Sequence, residues 1–348
     1  MRALVDRRST SGALAVAAGA LAFAALFFAQ GTALSSLVWI GGAAILLTAL
    51  AVAAVLGGFF PAPRLDAAGT AFLVALFSLA VWVGLTTIWS SSPESSWQYT
   101  NRTLVYAAFA LLGVFAAAAL RRPAETIADG AAVLLALVLG WALLAKCVPS
   151  LYSDYGRLAR LRAPLDYWNE LALVAAVAVP IALRLASRRY ASGTVLLYGA
   201  GLTVLLTYSR FGIALACLAA VAWIVLAENR VESLAAVGIG GAAAAAVFAI
   251  ALALPGITKD GRAHSVRAHD GWIFVLAIVA GGVLVALAAS LLRRRFPVSG
   301  ATRRRIERGA AFAGAAAALV LVVVALVFAG RIWHSFANPV SSQISSST

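Results

Sequence analysis

Uninterrupted apolar blocks of about 20 residues, separated by short polar stretches, dominate the pattern of this chain. A helix rises about 1.5 Å per residue, so such a block is long enough to cross the roughly 30 Å of hydrocarbon in a bilayer. The blocks predict spans near residues 11–30, 34–58, 67–88, 102–120, 126–146, 168–186, 192–208, 211–227, 234–254, 272–292 and 309–330. We therefore expect an all-α, polytopic integral membrane protein with about 11 transmembrane helices. They would form a single domain over residues 1–340, followed by a polar, disordered stub at 341–348.

The composition agrees with a chain that has the bilayer as its solvent. Of 348 residues, 63% are hydrophobic and 11% charged, whereas soluble domains carry roughly 25% charged residues, so a soluble globule is excluded. Cys147 and Cys217 lie in different apolar blocks and lack the C-x-x-C spacing of a metal or redox site. No Walker loop, dinucleotide-binding glycine pattern or G-x-S-x-G elbow is recognisable in a suitable setting. We expect neither a cofactor nor a metal.

The net charge of +14 is mainly a signal of membrane orientation. In a soluble protein such a charge would suggest nucleic-acid binding, but in a membrane protein Lys and Arg concentrate at cytoplasmic turns. With a cytoplasmic N-terminus, alternating spans place 17 of the 27 cations inside: Arg2, Arg7, Arg8, Arg64, Arg121, Arg122, Arg184, Arg188, Arg189, Arg230, Arg293, Arg294, Arg295, Arg303, Arg304, Arg305 and Arg308. We expect a multi-pass protein of the inner (cytoplasmic) membrane, with no nucleic-acid partner.

The remaining ten cations face outward, against this rule, and need another explanation. They are Arg102, Lys146, Arg157, Arg160, Arg162, Arg210, Lys259, Arg262, Arg267 and Arg331. An anionic ligand reached from the outer face is the simplest one. The blocks hold no acidic relay at mid-membrane, since the carboxylates of Asp129, Glu170 and Glu228 lie toward span ends, and this argues against proton-coupled transport.

The first outward segment runs over residues 148–167 and carries three of these arginines. If it is helical, Leu158, Leu161 and Leu165 share one face, and the segment would lie flat on the outer interface. The arginines then either anchor the segment to lipid headgroups or bind a ligand. The ligand is favoured because Asn169 and Glu170 follow at the mouth of the next span.

The second outward feature is the tight turn of a helical hairpin at residues 207–212. The two spans leave only two or three residues for the turn, which puts Arg210 at the membrane surface. A charged side chain near hydrocarbon is rarely kept without a partner, although it can also reach lipid phosphates. Gly212 would let a neighbouring helix or a ligand approach closely.

The third outward segment, residues 254–272, is predicted as a loop with two histidines. An imidazole is the side chain best suited to accept a proton near neutral pH, so His264 or His269, beside Arg262 and Arg267, is a candidate general base. The segment also fits a solvated polar loop without chemistry. A metal site is disfavoured because the spacing matches no compact ligand signature.

Three motifs in this order resemble the O-antigen ligase and O-antigen polymerase family of bacterial membrane glycosyltransferases. They are Arg160-Leu-Arg162-x-Pro-Leu-x-Tyr-Trp-Asn169, the hairpin Thr207-x-Ser209-Arg210-x-Gly212, and Trp333-x-x-Phe336 after the last span. The resemblance implies metal-independent, inverting transfer of a glycan from an undecaprenyl-diphosphate carrier to a sugar hydroxyl of an acceptor glycan or lipid. It implies diphosphate binding by Arg210, Arg160, Arg162 and Arg267, catalysis by His264 or His269, and supporting roles for Asn169 and Ser209.

The chain departs from the family's pattern at two places. Asp166-Tyr-Trp-Asn169 stands where a Gly-Asn-Pro-Asn form is common, and the family's large outward loop with a His-Asn motif is missing before Thr348. We expect either that His264 or His269 substitutes, or that this is a truncated or split member. Two alternatives remain open. One is a non-catalytic binding or translocation protein for a polyprenyl-linked or other anionic substrate. The other is a peptidoglycan polymerase of the shape, elongation and division type, using Asp260 or Asp270.

Overall fold

The computed structural model describes residues 2–28, 34–152 and 159–295 and the single residue Gly309, and within them every regular element is a helix. The helices are α1 (Arg2–Phe28), α2 (Leu34–Leu56), α3 (Ala67–Thr86), α4 (Pro93–Ala119), α5 (Pro123–Cys147), α6 (Trp168–Arg188), α7 (Tyr190–Thr207), α8 (Arg210–Leu226), α9 (Arg230–Leu252), α10 (Pro255–Thr258) and α11 (His264–Arg295).

The described helices are those of a multi-pass membrane protein. Eight of them are long and apolar enough to cross a bilayer, and two shorter apolar helices, Gly12–Phe28 and Arg210–Leu226, accompany them. The predicted all-α class is therefore confirmed for the described part of the chain. The predicted span at 309–330 and the stub at 341–348 lie outside the described residues, apart from Gly309.

Helix α7 lies at the centre of the main core, where it packs against α5, α6, α9 and α11. Small residues bring the helices together. A Cβ added at Gly193 would lie 2.2 Å from the backbone nitrogen of Ala186, so the α6 and α7 backbones are in direct contact. Such contacts drive helix association in a membrane, where burial of apolar surface gives little advantage over lipid.

Helices α1 to α4 form a second packing unit around Ala44, Ala108 and Leu112. Within it α3 packs on α4 and leaves most of its own surface open, including Phe72 and Trp82. An apolar helix surface that contacts no protein faces lipid in a bilayer.

Long-range contacts show that the connections alternate between two ends of the helical bundle, as the predicted spans require. At one end, which we call the site end, the amide of Leu161 donates to the carbonyl of Leu206 over 3.0 Å. At the opposite end, Arg188 forms an ion pair with Asp129 over 3.3 Å.

Three predicted helix starts are wrong, those of α1, α4 and α11. Helix α1 begins at Arg2 rather than near 11. Helix α4 begins at Pro93 rather than near 102, because proline is favoured in a first turn and extends the helix beyond the apolar block. Helix α11 begins at His264 rather than near 272, so the second half of the predicted loop is helical. The amphipathic helix that the leucine spacing allows within 148–167 is not formed at residues 159–167.

Candidate functional site

The segment 159–167 is an irregular stretch that inserts into the site end. Leu161 and Leu165 are buried, with 2% and 5% of their surface exposed. They belong to the main protein core and do not face the membrane–water interface that the sequence suggested. The Leu161 amide donates to the carbonyl of Leu206 at the end of α7, and Pro164 has no amide hydrogen to donate. A helix through this segment would therefore lack two of its backbone hydrogen bonds. Residues Arg157 and Leu158 lie outside the described part.

The two described arginines of this segment have different surroundings. The guanidinium carbon of Arg160 lies 4.9 Å from the ring centre of Trp168, and the rest of this side chain is exposed. Arg162 is mostly buried, with Nε 3.7 Å from Oδ1 of Asp166. The hydroxyl of Tyr152 donates to the same carboxylate oxygen. Arg160 is therefore open to a ligand, whereas Arg162 helps to hold the segment in place.

The hairpin between α7 and α8 is as tight as predicted. Helix α7 ends at Thr207, Tyr208 adopts a left-handed conformation with φ 52°, and Ser209 caps α8 by accepting from the Gly212 amide over 3.1 Å. Arg210 follows as the first residue of α8, with an exposed side chain. The turn thus presents Arg210 at the site end on a rigid helix terminus.

Gly212 allows the close approach of a neighbouring helix that the sequence predicts. A Cβ added there would lie 2.4 Å from Cβ of Ala172 on α6. This contact brings the first turns of α6 and α8 side by side.

A hydrogen bond joins the first two predicted features. The Ser209 hydroxyl donates to Oδ1 of Asn169 over 2.8 Å, and Nδ2 of Asn169 donates to the hydroxyl of Tyr167 over 2.8 Å. Asn169 follows Trp168, on which Arg160 rests. The structure therefore links Arg160 and Arg210 through the first turn of α6.

One electrostatic attraction between helices is missing from the sequence-based prediction. Arg102 of α4 lies close enough to Glu170 of α6 to attract its carboxylate electrostatically. Arg102 counts among the ten outward cations, but its attraction to Glu170 joins two helices far apart in the sequence. No local spacing signals such a contact.

Burial raises the pKa of Tyr208, the left-handed residue of the turn. Its ring packs edge to face against Phe248 of α9, with the ring centres 5.7 Å apart. Tyr208 thereby fixes the hairpin against a third helix, and its hydroxyl stays protonated at neutral pH.

The third predicted segment is joined to the first by one hydrogen bond and is closed on itself by another. Oδ1 of Asp260 accepts from the amide of Ala159 over 2.7 Å, and the buried Asp270 accepts from the amide of Gly256 over 2.7 Å. His264 and His269 are exposed on the first two turns of α11. Arg267 is half-buried on the same helix.

The described residues thus place Arg160 on Trp168 and bond the neighbouring Asn169 to Ser209, which precedes Arg210. Asp260, between α10 and α11, bonds to Ala159 at the start of the same segment. Among the described residues, neither His264 nor His269 forms a hydrogen bond with Arg210. Among the described residues no three His, Cys, Asp or Glu side chains are grouped so that they could hold a metal ion.

A comparison of the chain with protein-family models, with curated proteins and with solved structures finds no match. The functional interpretation therefore rests on the residues and their geometry.

Proposed function

We propose that this protein is a membrane glycosyltransferase of the O-antigen ligase or polymerase type. It would transfer a glycan from an undecaprenyl-diphosphate carrier to a hydroxyl of an acceptor glycan or lipid. The observation that supports this best is the Ser209–Asn169 hydrogen bond, which couples Arg210 to the segment that bears Arg160. Two exposed guanidinium groups on one connected framework suit an anionic ligand with two phosphates.

The diphosphate is the leaving group of the proposed reaction. A guanidinium stays charged and donates two parallel hydrogen bonds to phosphate oxygens. In this proposal Arg210 and Arg160 hold the diphosphate and stabilise the negative charge that develops as the sugar leaves. Arg267 assists from α11, and Arg162 keeps its segment in position against Asp166.

The chemical step is a displacement at the anomeric carbon of the donor sugar. The acceptor oxygen forms a bond to C1, the bond between C1 and the diphosphate oxygen breaks, and undecaprenyl diphosphate leaves. His264 or His269 takes the acceptor proton, and attack from the face opposite the diphosphate inverts the configuration. Asn169 and Ser209 support the acceptor side.

The membrane orientation of this proposal follows from the charges at the opposite end of the bundle. Arg64, Arg121, Arg122 and Arg189 lie in connections at that end, and Arg184 and Arg188 lie in the last two turns of α6. The positive-inside rule makes that end cytoplasmic. The site end then faces outward from the inner membrane.

Two observations bear on the alternative functions, a peptidoglycan polymerase and a non-catalytic binding or translocation protein. Asp260 and Asp270 both accept backbone hydrogen bonds, which disfavours a peptidoglycan polymerase that needs one of them as a free catalytic carboxylate. No hydrogen bond among the described residues joins His264 or His269 to the Arg210 site, and this favours, as the second candidate, a protein that binds or translocates the lipid-linked substrate without turnover.

Reconstituted protein given an undecaprenyl-diphosphate-linked oligosaccharide and an acceptor glycan distinguishes these functions. We expect transfer by the wild type and none by Arg210→Ala, with Arg121→Ala as the matched control at the opposite end. Loss of transfer in His264→Ala or His269→Ala identifies the base. Normal transfer by a folded Arg210→Ala protein refutes the assignment, and donor binding without turnover supports the second candidate.

A further inference from the structure

A groove between three helices opens at the end of the bundle opposite the candidate site. It encloses about 480 Å³ between α5, α7 and α11, and apolar residues line most of it, among them Leu139, Leu143, Val195 and Ile278. Asp129, Arg189 and Ser192 lie at its mouth. A second, more polar cavity of about 390 Å³ shares Arg189 and Ser192 with the groove.

Three glycines form the inner part of the groove. Gly140, Gly199 and Gly282 lie on α5, α7 and α11, respectively, and line the same space. A Cβ at Gly140 or Gly199 would meet no atom within 4 Å, and one at Gly282 would make only an ordinary contact 3.8 Å from the ring of Tyr198. The absence of side chains therefore leaves a volume that the neighbouring helices do not fill.

The lining of the groove extends over half or somewhat more of the hydrocarbon thickness. Ten residues of α7 separate Arg189 from Gly199 and fourteen residues of α5 separate Asp129 from Leu143, which is about 15 and 21 Å along a helix against roughly 30 Å of hydrocarbon. Gly282 lies a similar distance from Arg293 on α11. Near the inner end the Tyr198 hydroxyl donates to the carbonyl of Ile278 over 3.0 Å, which joins α7 to α11.

The mouth of the groove is positively charged. Arg189, Arg293, Ser192 and Ser290 line the polar cavity, while the carboxylate of Asp129 is neutralised by Arg188 at 3.3 Å. No carboxylate of the described residues lies within ion-pair distance of Arg189 or Arg293. Arg189 also leaves the start of α7 without a side-chain cap, so first-turn amides are available to an anion.

We infer that this groove is a binding site for an anionic glycerophospholipid of the same leaflet. The phosphate lies between Arg189 and Arg293, and one acyl chain runs along the glycine-lined space to the bilayer midplane. A lining of about 15–21 Å fits an acyl chain that starts at the membrane surface, whereas the much longer chain of a polyprenyl carrier would extend past the lining residues. This site is separate from the diphosphate site and does not depend on the proposed transfer reaction.

Lipid titration of the delipidated full chain, followed by native mass spectrometry, tests this site. We expect phosphatidylglycerol to bind the wild type more tightly than phosphatidylcholine. In Arg189→Gln/Arg293→Gln the affinity for phosphatidylglycerol should fall about 25-fold, since each surface arginine contributes roughly a factor of five. The matched control Arg64→Gln/Arg121→Gln removes two exposed arginines of the same end and should bind like the wild type.

The acyl-chain part of the site has its own variant. Gly199→Leu places a side chain in the open space of the groove, so the protein should still fold while the binding of both lipids weakens. The control Gly113→Leu, at an open position on α4, should leave the binding of both lipids unchanged. Wild-type phosphatidylglycerol affinity in Arg189→Gln/Arg293→Gln or in Gly199→Leu overturns the proposal. Displacement of phosphatidylglycerol by equimolar undecaprenyl phosphate, or by millimolar inorganic phosphate, overturns the assignment to a glycerophospholipid.

Discussion

The contact between Gly212 and Ala172 offers a direct test of how the candidate site is held together. In Gly212→Ala the new Cβ would lie 2.4 Å from Cβ of Ala172, whereas ordinary contact begins at 3.4 Å, so α6 and α8 must separate by about 1.0 Å, the difference between these distances. Neither atom is at the end of a flexible side chain, so the backbone has to move. A shift of that size breaks the Ser209–Asn169 hydrogen bond, which is 2.8 Å long.

Overpacking of this kind costs about 1–3 kcal/mol. Alanine also has a higher helix propensity than glycine, which by itself stabilises a helix. The variant Gly113→Ala measures this gain alone, because Gly113 is at an exposed helical position with nothing within 4 Å of the new Cβ. The free energy of unfolding, measured by denaturing-detergent titration in mixed micelles, should therefore be about 1–3 kcal/mol lower for Gly212→Ala than for Gly113→Ala.

A compensating change makes this prediction specific to the contact. Ala172→Gly removes the opposing Cβ, so the addition of Gly212→Ala to Ala172→Gly should cost much less than Gly212→Ala costs in the wild type. Equal stability of Gly212→Ala and Gly113→Ala, or equal effects of Gly212→Ala in both backgrounds, would refute the packing of α6 on α8.

Three further predictions use the same unfolding titration. Ser209→Ala removes the cap of α8 and should lower the free energy of unfolding by about 1 kcal/mol; no change would show that the cap is not formed. Arg188→Gln should lower it by less than about 1 kcal/mol, because the Arg188 side chain is 43% exposed; a larger loss would contradict a solvent-screened ion pair. Burial raises the pKa of Tyr208 in the folded protein, so the folded state disfavours ionisation of this hydroxyl. The stability that the neutral hydroxyl contributes is fully present below about pH 10, the ordinary pKa of tyrosine, and is lost as the pH rises through the raised pKa of the folded state. Tyr208→Phe should lose less stability than the wild type between about pH 9 and 11; identical pH profiles would contradict the buried hydroxyl.

The helices were largely predictable because each one depends on a local property of the chain. An apolar block has to satisfy its backbone hydrogen bonds internally in a membrane, and a helix does this within one segment. The tight turn at Arg210 was predictable for the same reason, since the lengths of the two blocks leave few residues between them. The starts of α4 and α11 were not, because polar residues extend these helices beyond the apolar blocks.

The site was predictable only in part because its key contacts are long-range. The spacing of Leu161 and Leu165 indicates that both are buried, but it does not distinguish a surface helix from an irregular segment that donates to Leu206. The Ser209–Asn169 bond and the attraction between Arg102 and Glu170 likewise join separate helices. Sequence spacing identifies these residues as candidates, while helix packing selects which of them meet.

The central claim is that Arg210 binds the diphosphate of a lipid carrier, and the affinity of the reconstituted protein for undecaprenyl diphosphate tests it most directly. A hydrogen bond to a charged group contributes about 1.5–3 kcal/mol, so Arg210→Gln should raise the Kd by roughly 10- to 150-fold. Arg121→Gln, which removes an exposed arginine at the opposite end, should leave the Kd at the wild-type value. An unchanged Kd in a folded Arg210→Gln protein, or an equal loss in Arg121→Gln, would contradict the claim.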